Sequence, residues 1–574
     1  MYTQFFLIFF LFFFSACQES SSLSHTPQEE NLSQDKNKSN TPKYIDYKTK
    51  IFANSYAYIP PMCYTKTKDE QGNIHNPCYA CHSQSLAPNY NNDQDLQAVY
   101  SFPLFAKENH WSNLFVNRQE DVKKISDVQI ENYINTSNYL SKDQSIILEN
   151  KLRSLPKDWD IFNDNFWHGY IPDAYFNFDT EGFDIDPHSQ KYTGWRAFAY
   201  TPFLGTFWAT NGSTDDVLIR LDEIFMQDKN ALYNHEIYKI NLAIVEALIL
   251  RKDVYIAEID ENDLGYDLDH NGILSITNKV SFWEGNHSNT MQYVGLAEEK
   301  RKEGFVHLSL GLFPEKTEFL HSVRYVKIDE NNQTQLSERM KELRYAIKRY
   351  WVQPSLIQDL AEVEAKDKMA YPNKHRQFSG NFQTGLDNKQ GWRYQAFIED
   401  SLGDLRPQTQ EELLYCMGCH NGLGATSDGT FSFARKISQK NTFQEGWYHP
   451  SQKGLKNSQE PLRKDGEFEY SFYLKHNKAG DEFRENTEVL SRFFLSDNKV
   501  NEEQITALHK DISLLIFPSK QRALLLSKAY YLIVQEQTFT KGRDSTIFPV
   551  ENVHKSVEDN QSTGIELILD AQGE

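Results

Sequence analysis

The chain has 574 residues, and its 80 Asp and Glu outnumber its 60 Lys and Arg, which gives a formal net charge of −20. At roughly 100–200 residues per domain, this length allows about three or four folded units. With 14% aromatic and 24% charged residues, the composition argues against a wholly disordered chain. The negative charge argues against nucleic-acid binding, because phosphate contacts need clustered Lys and Arg. Six cysteines are too few for a disulfide scaffold of this size.

The first residues predict an export signal. Residues 5–14 form an uninterrupted apolar run, FFLIFFLFFF, which is too short to span a bilayer but suits the core of a signal peptide. The run ends in Phe-Ser-Ala before Cys17. This ending resembles a bacterial lipobox, whose cysteine is acylated and becomes the new N-terminus. We therefore expect a signal peptide at 1–16 and a lipid on Cys17, with an ordinary cleaved signal as the alternative.

A polar segment follows the predicted lipid anchor. Residues 17–45 are rich in Ser, Asn, Gln and charge, and cannot bury enough apolar surface to fold, so they predict a flexible tether. By resemblance to lipoprotein sorting, Gln18 after the cysteine indicates the outer membrane. We expect an exported protein that is anchored to a bacterial membrane and faces the periplasm or the cell surface.

The first folded region, 46–140, contains the motif Cys-Tyr-Ala-Cys-His at 78–82. This pattern is typical of covalent haem c attachment, in which Cys78 and Cys81 bind the two vinyl groups and His82 is the proximal iron ligand. Cys63 is left without a partner once the other cysteines are assigned. Two roles fit it: a distal thiolate ligand of a haem iron, or a buried inert thiol.

The middle region, 141–400, mixes helical and strand periodicities. Apolar spacing predicts helices at 143–155, 231–251 and 337–370, the last interrupted at Pro354. Alternating apolar runs predict strands at 195–200, 254–259, 305–313 and 319–328. Together these elements predict an α+β domain with a mainly antiparallel sheet.

A candidate calcium loop lies in the middle region. Asp267, Asp269 and Asn271 match the opening D-x-D-x-N-G, whose oxygen ligands curl around a hard cation. The twelfth position is Asn278 in place of the bidentate Glu of an EF-hand. Further oxygens are available from the acidic neighbours Asp260, Glu261 and Asp263. The alternative is an Asx-rich surface turn.

The second haem region, 401–555, contains Cys-Met-Gly-Cys-His at 416–420. By the same chemistry, Cys416 and Cys419 form the thioethers and His420 is the proximal ligand. Helices are expected at 502–513 and 519–536. The last residues, 556–574, are polar and predict a mobile tail.

Two C-x-x-C-H motifs behind a lipobox-like signal resemble a bacterial dihaem c-type cytochrome lipoprotein. The resemblance implies two covalently attached haem c groups. It also implies a fold of class α+β, in which two mainly helical haem-binding regions flank a larger mixed middle domain. Zinc and a thioredoxin-like redox pair are the alternatives. They fit less well because the pairs lie far apart, each carries an extra His, and no βαβ pattern surrounds them.

The second axial ligand of each haem is not fixed by the motifs. None of the seven Met follows Met417, so a downstream Met cannot serve the second haem. For the second haem, an open site remains an alternative to the candidate ligands His449, His476, His509, His321 and His375. For the first haem, the local candidates are His75, His110 and Met62.

Three functions fit these features. The leading hypothesis is electron transfer by a membrane-anchored dihaem cytochrome c that exchanges electrons with a redox protein partner. The second is a haem c oxidoreductase, peroxidase-like or oxidising sulfur compounds, with a small-molecule substrate in a pocket of the middle domain. The third is a surface binding lipoprotein in which haem is structural or sensory. The acidic surface suits a basic protein partner through electrostatic steering.

Overall fold

The structure, a computed structural model, describes residues 43–48, 51–69, 71–285, 290–331, 333–437, 443–463, 465–478 and 486–569. The signal peptide, the predicted lipid on Cys17 and the tether up to residue 42 lie outside these residues. Pro42–Glu574 form one compact unit. The three folded regions expected from the sequence therefore belong to a single body.

The described chain contains fourteen strands, most of them short, and the two longest are consecutive. Their bounds are β1 Thr67–Lys68, β2 Ile74–His75, β3 Phe183–Ile185, β4 Tyr192–Ala197, β5 Thr214–Asp215, β6 Leu218–Arg220, β7 Val254–Asp260, β8 Ile276–Val280, β9 Glu318–Ile328, β10 Thr334–Lys348, β11 Ser379–Asn381, β12 Gly385–Asp387, β13 Trp392–Glu399 and β14 Leu405–Pro407. Ten of them form one antiparallel sheet in the order β11-β12-β13-β10-β9-β6-β4-β3, with β14 on β13 and β5 on β9. Two separate hairpins pair β1 with β2 and β7 with β8.

Helices surround this sheet. Their bounds are α1 Gln119–Lys123, α2 Asp127–Ile134, α3 Ile147–Arg153, α4 His235–Leu250, α5 Glu261–Leu264, α6 Leu296–Lys302, α7 Pro354–Ala370, α8 Gln410–Leu414, α9 Cys416–Cys419, α10 Glu469–Asn477, α11 Thr487–Phe493, α12 Glu502–Leu508, α13 Ser513–Ile516 and α14 Lys520–Glu536. Short 3₁₀ turns, among them Pro61–Tyr64 and Cys78–Ala80, lie in the region 46–140 that contains the first motif.

Both faces of the large sheet are covered. Successive side chains of a strand point to opposite faces, so Phe319 and Leu320 of β9 enter two different apolar clusters. Helix α4 covers the first face and is apolar on nearly all sides, which is the pattern of a buried helix. Its one buried carboxylate, Glu246, pairs with Lys436 at 2.7 Å. The sheet is therefore a rigid, enclosed platform for the residues on its central strands.

The expected α+β class with a large antiparallel sheet is confirmed. Strands β4, β7 and β9 and helices α3, α4, α12 and α14 occupy the segments where the sequence predicts them. Two predictions are wrong. Residues 337–348 belong to strand β10, and the helix begins only at Pro354, where proline suits the first helical turn. Residues 305–313 form no regular strand; only a bridge between Ser309 and Leu312 remains there.

The two regions predicted to hold haem differ in structure, and the expectation that both are mainly helical is wrong for the first. The second region contains helices α8 to α14, whereas the first has 3₁₀ turns and the short helices α1 and α2. The end of the chain packs onto the first region. Bridges join Thr65 to Val553 and Val99 to Ser562. Residues 556–569, expected to belong to a mobile tail, include the buried Val557 and Thr563.

Candidate haem-binding site

Each C-x-x-C-H motif forms one helical turn that ends at its histidine. In the first motif, the His82 amide donates to the Cys78 carbonyl at 2.9 Å. In the second, the His420 amide donates to the Cys416 carbonyl at 3.0 Å. A single turn brings the two thiols and the imidazole to one side, as attachment of one haem requires.

The fold places the two motifs side by side although they stand far apart in the sequence. The Ala425 amide donates to the Cys81 carbonyl at 3.2 Å. The side-chain amide of Asn89 donates to the Leu423 carbonyl at 2.9 Å. Gly424 lies against the Ser83 carbonyl so closely that a Cβ atom would clash with it. The segments that follow the two motifs are therefore in direct contact.

Asp93 connects the two motifs through one carboxylate. Its Oδ2 accepts from His82 Nδ1 at 2.7 Å, and its Oδ1 accepts from the Gly424 amide at 3.2 Å. Sequence reasoning missed this residue, because nothing distinguishes one aspartate among 80 acidic residues. Its role follows only from the folded geometry.

Both motif histidines have the geometry of an iron ligand. His82 Nδ1 donates to the Asp93 carboxylate, and His420 Nδ1 donates to the Gly429 carbonyl at 3.0 Å. Within the described part of the chain, neither Nε2 has a hydrogen-bond partner. Metal-binding histidines usually donate one ring N–H in this way, which orients the other nitrogen toward the metal. Burial lowers the pKa of His420 to about 4, so its ring is neutral at ordinary pH.

A cavity of about 260 Å³ lies at the junction of the motifs. Cys81, Cys416, Cys419 and His420 are all in its wall. Eleven aromatic residues also line it: Phe198, Tyr200, Phe203, Phe207, Trp208, Phe319, Tyr345, Tyr394, Tyr415, Phe431 and Tyr530. The Tyr394 ring stacks on the His420 imidazole with 4.7 Å between centroids. A flat aromatic macrocycle fits such a wall, so the residues present suit a haem.

Basic side chains also reach this cavity. Arg344 and Arg543 line it, and both bond the buried carboxylate of Glu342, at 2.9 and 2.8 Å. Arg435 lines it as well and forms a bidentate ion pair with Glu469. Guanidinium groups match planar carboxylates, which are the acidic groups that a haem carries.

The five candidate ligands of the second haem are not equivalent. His321 is in the wall of the cavity. His449 bonds Ser451 through Nδ1 and Asp216 through Nε2. His375 also has both nitrogens engaged, by Gln377 and the Ser55 carbonyl. His476 and His509 each have Nδ1 occupied, by the Phe472 carbonyl and by Glu460.

The three local candidate ligands of the first haem also differ in their hydrogen bonds and in their position relative to the cavity. His75 Nε2 lies 3.0 Å from the Asp69 carboxylate, and His110 Nε2 lies 3.1 Å from the Phe105 carbonyl. Met62 is in the cavity wall. Of the three, Met62 alone reaches the cavity that the motif residues line.

Cys63 lies on the 3₁₀ turn Pro61–Tyr64 and is partly buried. Burial raises the pKa of its thiol, and the neighbouring Cys78 and Cys419 raise it further. The thiol is therefore protonated at ordinary pH, which suits a buried inert cysteine better than a thiolate ligand.

The predicted calcium residues form a compact loop. Oxygens of Asp267, Asp269 and Glu261 lie within 4.8 Å of one another. Glu261 is buried and accepts from the Leu268 amide, whereas Asp263 is exposed. Asn271 Oδ1 accepts from the Ile273 amide at 2.9 Å. Calcium binding at Asp267, Asp269 and Asn271 stays a prediction.

The alternative of a zinc site at the paired motifs is not supported by the side-chain positions. Over the part of the chain that the structure describes, two groups of three ligand atoms are close enough for one ion. They are Glu261 with Asp267 and Asp269, and Asp179 with Glu181 and His235. Neither contains a cysteine.

Comparison with known proteins identifies the family. A family model whose description ends in "-like lipoprotein" matches residues 47–513. The chain belongs to this lipoprotein family. An "Uncharacterized lipoprotein" of Aquifex aeolicus is 32% identical over 556 residues, which covers 88% of this chain and 89% of the relative. No solved structure matches the chain significantly.

The lipoprotein family agrees with the expected lipid anchor and export. Among the helices of the described ranges, none has the length and apolar character needed to cross a bilayer.

Proposed function

We propose that this lipoprotein is a dihaem c-type cytochrome that transfers electrons outside the inner membrane. The contact between the two C-x-x-C-H motifs carries the proposal: the Ala425 amide bonds the Cys81 carbonyl, and Asp93 bonds both His82 and Gly424. Electron transfer between haems slows steeply with distance, so a fold that brings two attachment motifs into contact suits rapid exchange between them.

The residues that would hold each haem follow from the motifs. Cys78, Cys81 and His82 would hold the first, and Cys416, Cys419 and His420 the second. The haem supplies an iron that cycles between two oxidation states. The protein holds the imidazoles through Asp93 and Gly429 and excludes water with aromatic walls.

Haem staining and quantification of the purified lipoprotein test the proposal. We expect two covalently bound haems per chain in the wild type, and one in the double variants Cys78→Ser/Cys81→Ser and Cys416→Ser/Cys419→Ser. The control variant Cys63→Ser should keep both. A wild-type protein that is exported and folded but carries no covalent haem contradicts the proposal.

A second candidate function is a haem c oxidoreductase. His321 and Arg344 are directly opposite each other on β9 and β10, and both line the cavity that contains His420. An imidazole can move a proton and a guanidinium can stabilise developing negative charge, so this pair suits reduction of a small oxygen-containing substrate such as peroxide. This function requires a vacant iron position. Turnover of peroxide by the wild type, lost in Arg344→Met, would favour it.

We also propose the outer membrane as the location, on the basis of Gln18 after the acylated cysteine. Density fractionation of membranes tests this proposal. Gln18→Asp should move the protein toward the inner-membrane fraction.

A further inference from the structure

The cavity at the two motifs has a histidine in the sheet wall as well as the motif histidine. We propose that His321 is the second axial ligand of the iron held by Cys416, Cys419 and His420. This inference rests on the proposed function, since it requires a haem at the second motif. It assigns that haem to electron transfer, because an iron with two protein ligands has no vacant position for a substrate.

Neither ring nitrogen of His321 makes a hydrogen bond within the described segments, and of the two only Nδ1 has a charged neighbour, Asp215. Nδ1 is also buried. A buried imidazole nitrogen without a hydrogen bond costs free energy. Among the sequence candidates, His449 and His375 already use both nitrogens.

The Asp215 carboxylate faces Nδ1 of the His321 ring. Asp215 Oδ2 lies 3.5 Å from Nδ1, and the Asp215 side chain is only 6% exposed. A small rotation would let Nδ1–H donate to this oxygen. The arrangement then matches that of His82 with Asp93, where a carboxylate orients the ring and leaves Nε2 for the metal.

The position of His321 is fixed by the sheet. Strand β9 lies between β10 and β6, and His321 pairs with Arg344 across the β9–β10 ladder. The Phe207 ring meets the imidazole edge-on, with 6.1 Å between centroids. A ligand on a central strand is held more rigidly than one on a loop, and this limits reorganisation when the iron changes oxidation state.

Optical and electron paramagnetic resonance spectra of the purified holoprotein test the inference. We expect the wild-type second haem to be low-spin. His321→Ala should convert one of the two haems to a high-spin form that binds cyanide and carbon monoxide. His375→Gln, a matched histidine variant outside the cavity wall, should keep the wild-type spectrum.

His321→Met provides a variant that can still ligate the iron. We expect it to remain low-spin, gain a thioether-to-iron band and show a raised reduction potential, because Met/His ligation raises the potential. If His321→Ala does not fold, His321→Met still tests whether residue 321 ligates the iron.

Two results would overturn the inference while the dihaem proposal stands: a wild-type high-spin second haem, or unchanged low-spin spectra in both His321 variants with full haem content. If Met62→Leu converts the second haem to high-spin and His321→Ala does not, Met62 is the ligand instead. Absence of covalent haem from the wild type would overturn both the inference and the proposed function.

Discussion

At the scale of single residues, hydrogen bonds fix the orientation of the two motif histidines. His82 donates to a carboxylate and His420 to a carbonyl. A carboxylate partner makes an imidazole a stronger donor to iron and stabilises the oxidised state more than a carbonyl does. Two haems held as proposed should therefore differ in potential even though both motifs have the C-x-x-C-H pattern.

Asp93→Asn tests this difference. Loss of the negative charge on the His82 partner should raise the potential of one haem, by about 59 mV for each tenfold change in the relative stability of its two oxidation states. Spectroelectrochemical titration measures both potentials. The nearby exposed Asp95→Asn is the control and should change neither. Equal shifts in the two variants would contradict a specific role for Asp93.

A second residue prediction concerns Glu399, which ends β13 in a buried cluster. Burial raises its pKa from 4.5 to about 7, although Arg339 and the hydroxyls of Tyr325 and Tyr133 act in the opposite direction. The folded state therefore binds a proton more tightly than the unfolded state. Stability is highest below the unfolded pKa and falls as pH rises through the folded value.

Denaturant titrations at several pH values test this behaviour. Between about pH 4.5 and about pH 7, the wild type should lose about 3 kcal/mol of unfolding free energy that Glu399→Gln does not lose. Glu362→Gln, on the exposed face of α7, should follow the wild-type profile. Parallel profiles for wild type and Glu399→Gln would show that folding does not raise the pKa of Glu399.

At the scale of elements, β10 shows why the local sequence pattern did not predict the correct secondary structure. Its sequence, TQLSERMKELRYAIK, carries charges at spacings that favour a surface helix. In the fold it is a central strand whose charges are satisfied by distant groups: Arg339 by Glu399, Lys341 by the Gly212 carbonyl, and Glu342 by Arg543. Tertiary ion pairs override the helical preference here.

The loop after β7 and α5 carries the calcium prediction. If calcium binds Asp267, Asp269 and Glu261, it should raise the melting temperature, and at about 100 times its dissociation constant it adds about 2.7 kcal/mol. Asp267→Asn should abolish the calcium-dependent shift, measured by differential scanning calorimetry against a chelator. Asp263→Asn, with its exposed side chain, should keep the shift. No shift in the wild type would identify the loop as an Asx-rich turn.

At the scale of the whole molecule, the two regions that contain the C-x-x-C-H motifs and the middle region are one body. The chain end packs on the first region, and loops after both motifs interlock through Asn89 and Asp93. The cavity at the two motifs should consequently form only when the complete unit folds.

The membrane anchor is the remaining whole-molecule prediction. Labelled fatty acid should be incorporated into the wild type and into Cys63→Ser, but not into Cys17→Ser, because the lipobox-like sequence places the acyl group on Cys17. Gel fluorography of the immunoprecipitated proteins measures the label. Label retained in Cys17→Ser would place the lipid elsewhere.

The sequence by itself determined the features that depend on local chemistry. The apolar run before Cys17 and the two C-x-x-C-H motifs are contiguous, and helix α4 and strand β9 have strong periodicities. The tertiary structure decided which distant residues meet. It brought the motifs together, placed His321 alone of the five candidate histidines in the cavity wall, and made Asp93 a link between the motifs. These relations depend on packing between segments hundreds of residues apart, which local periodicity and motif spacing do not encode.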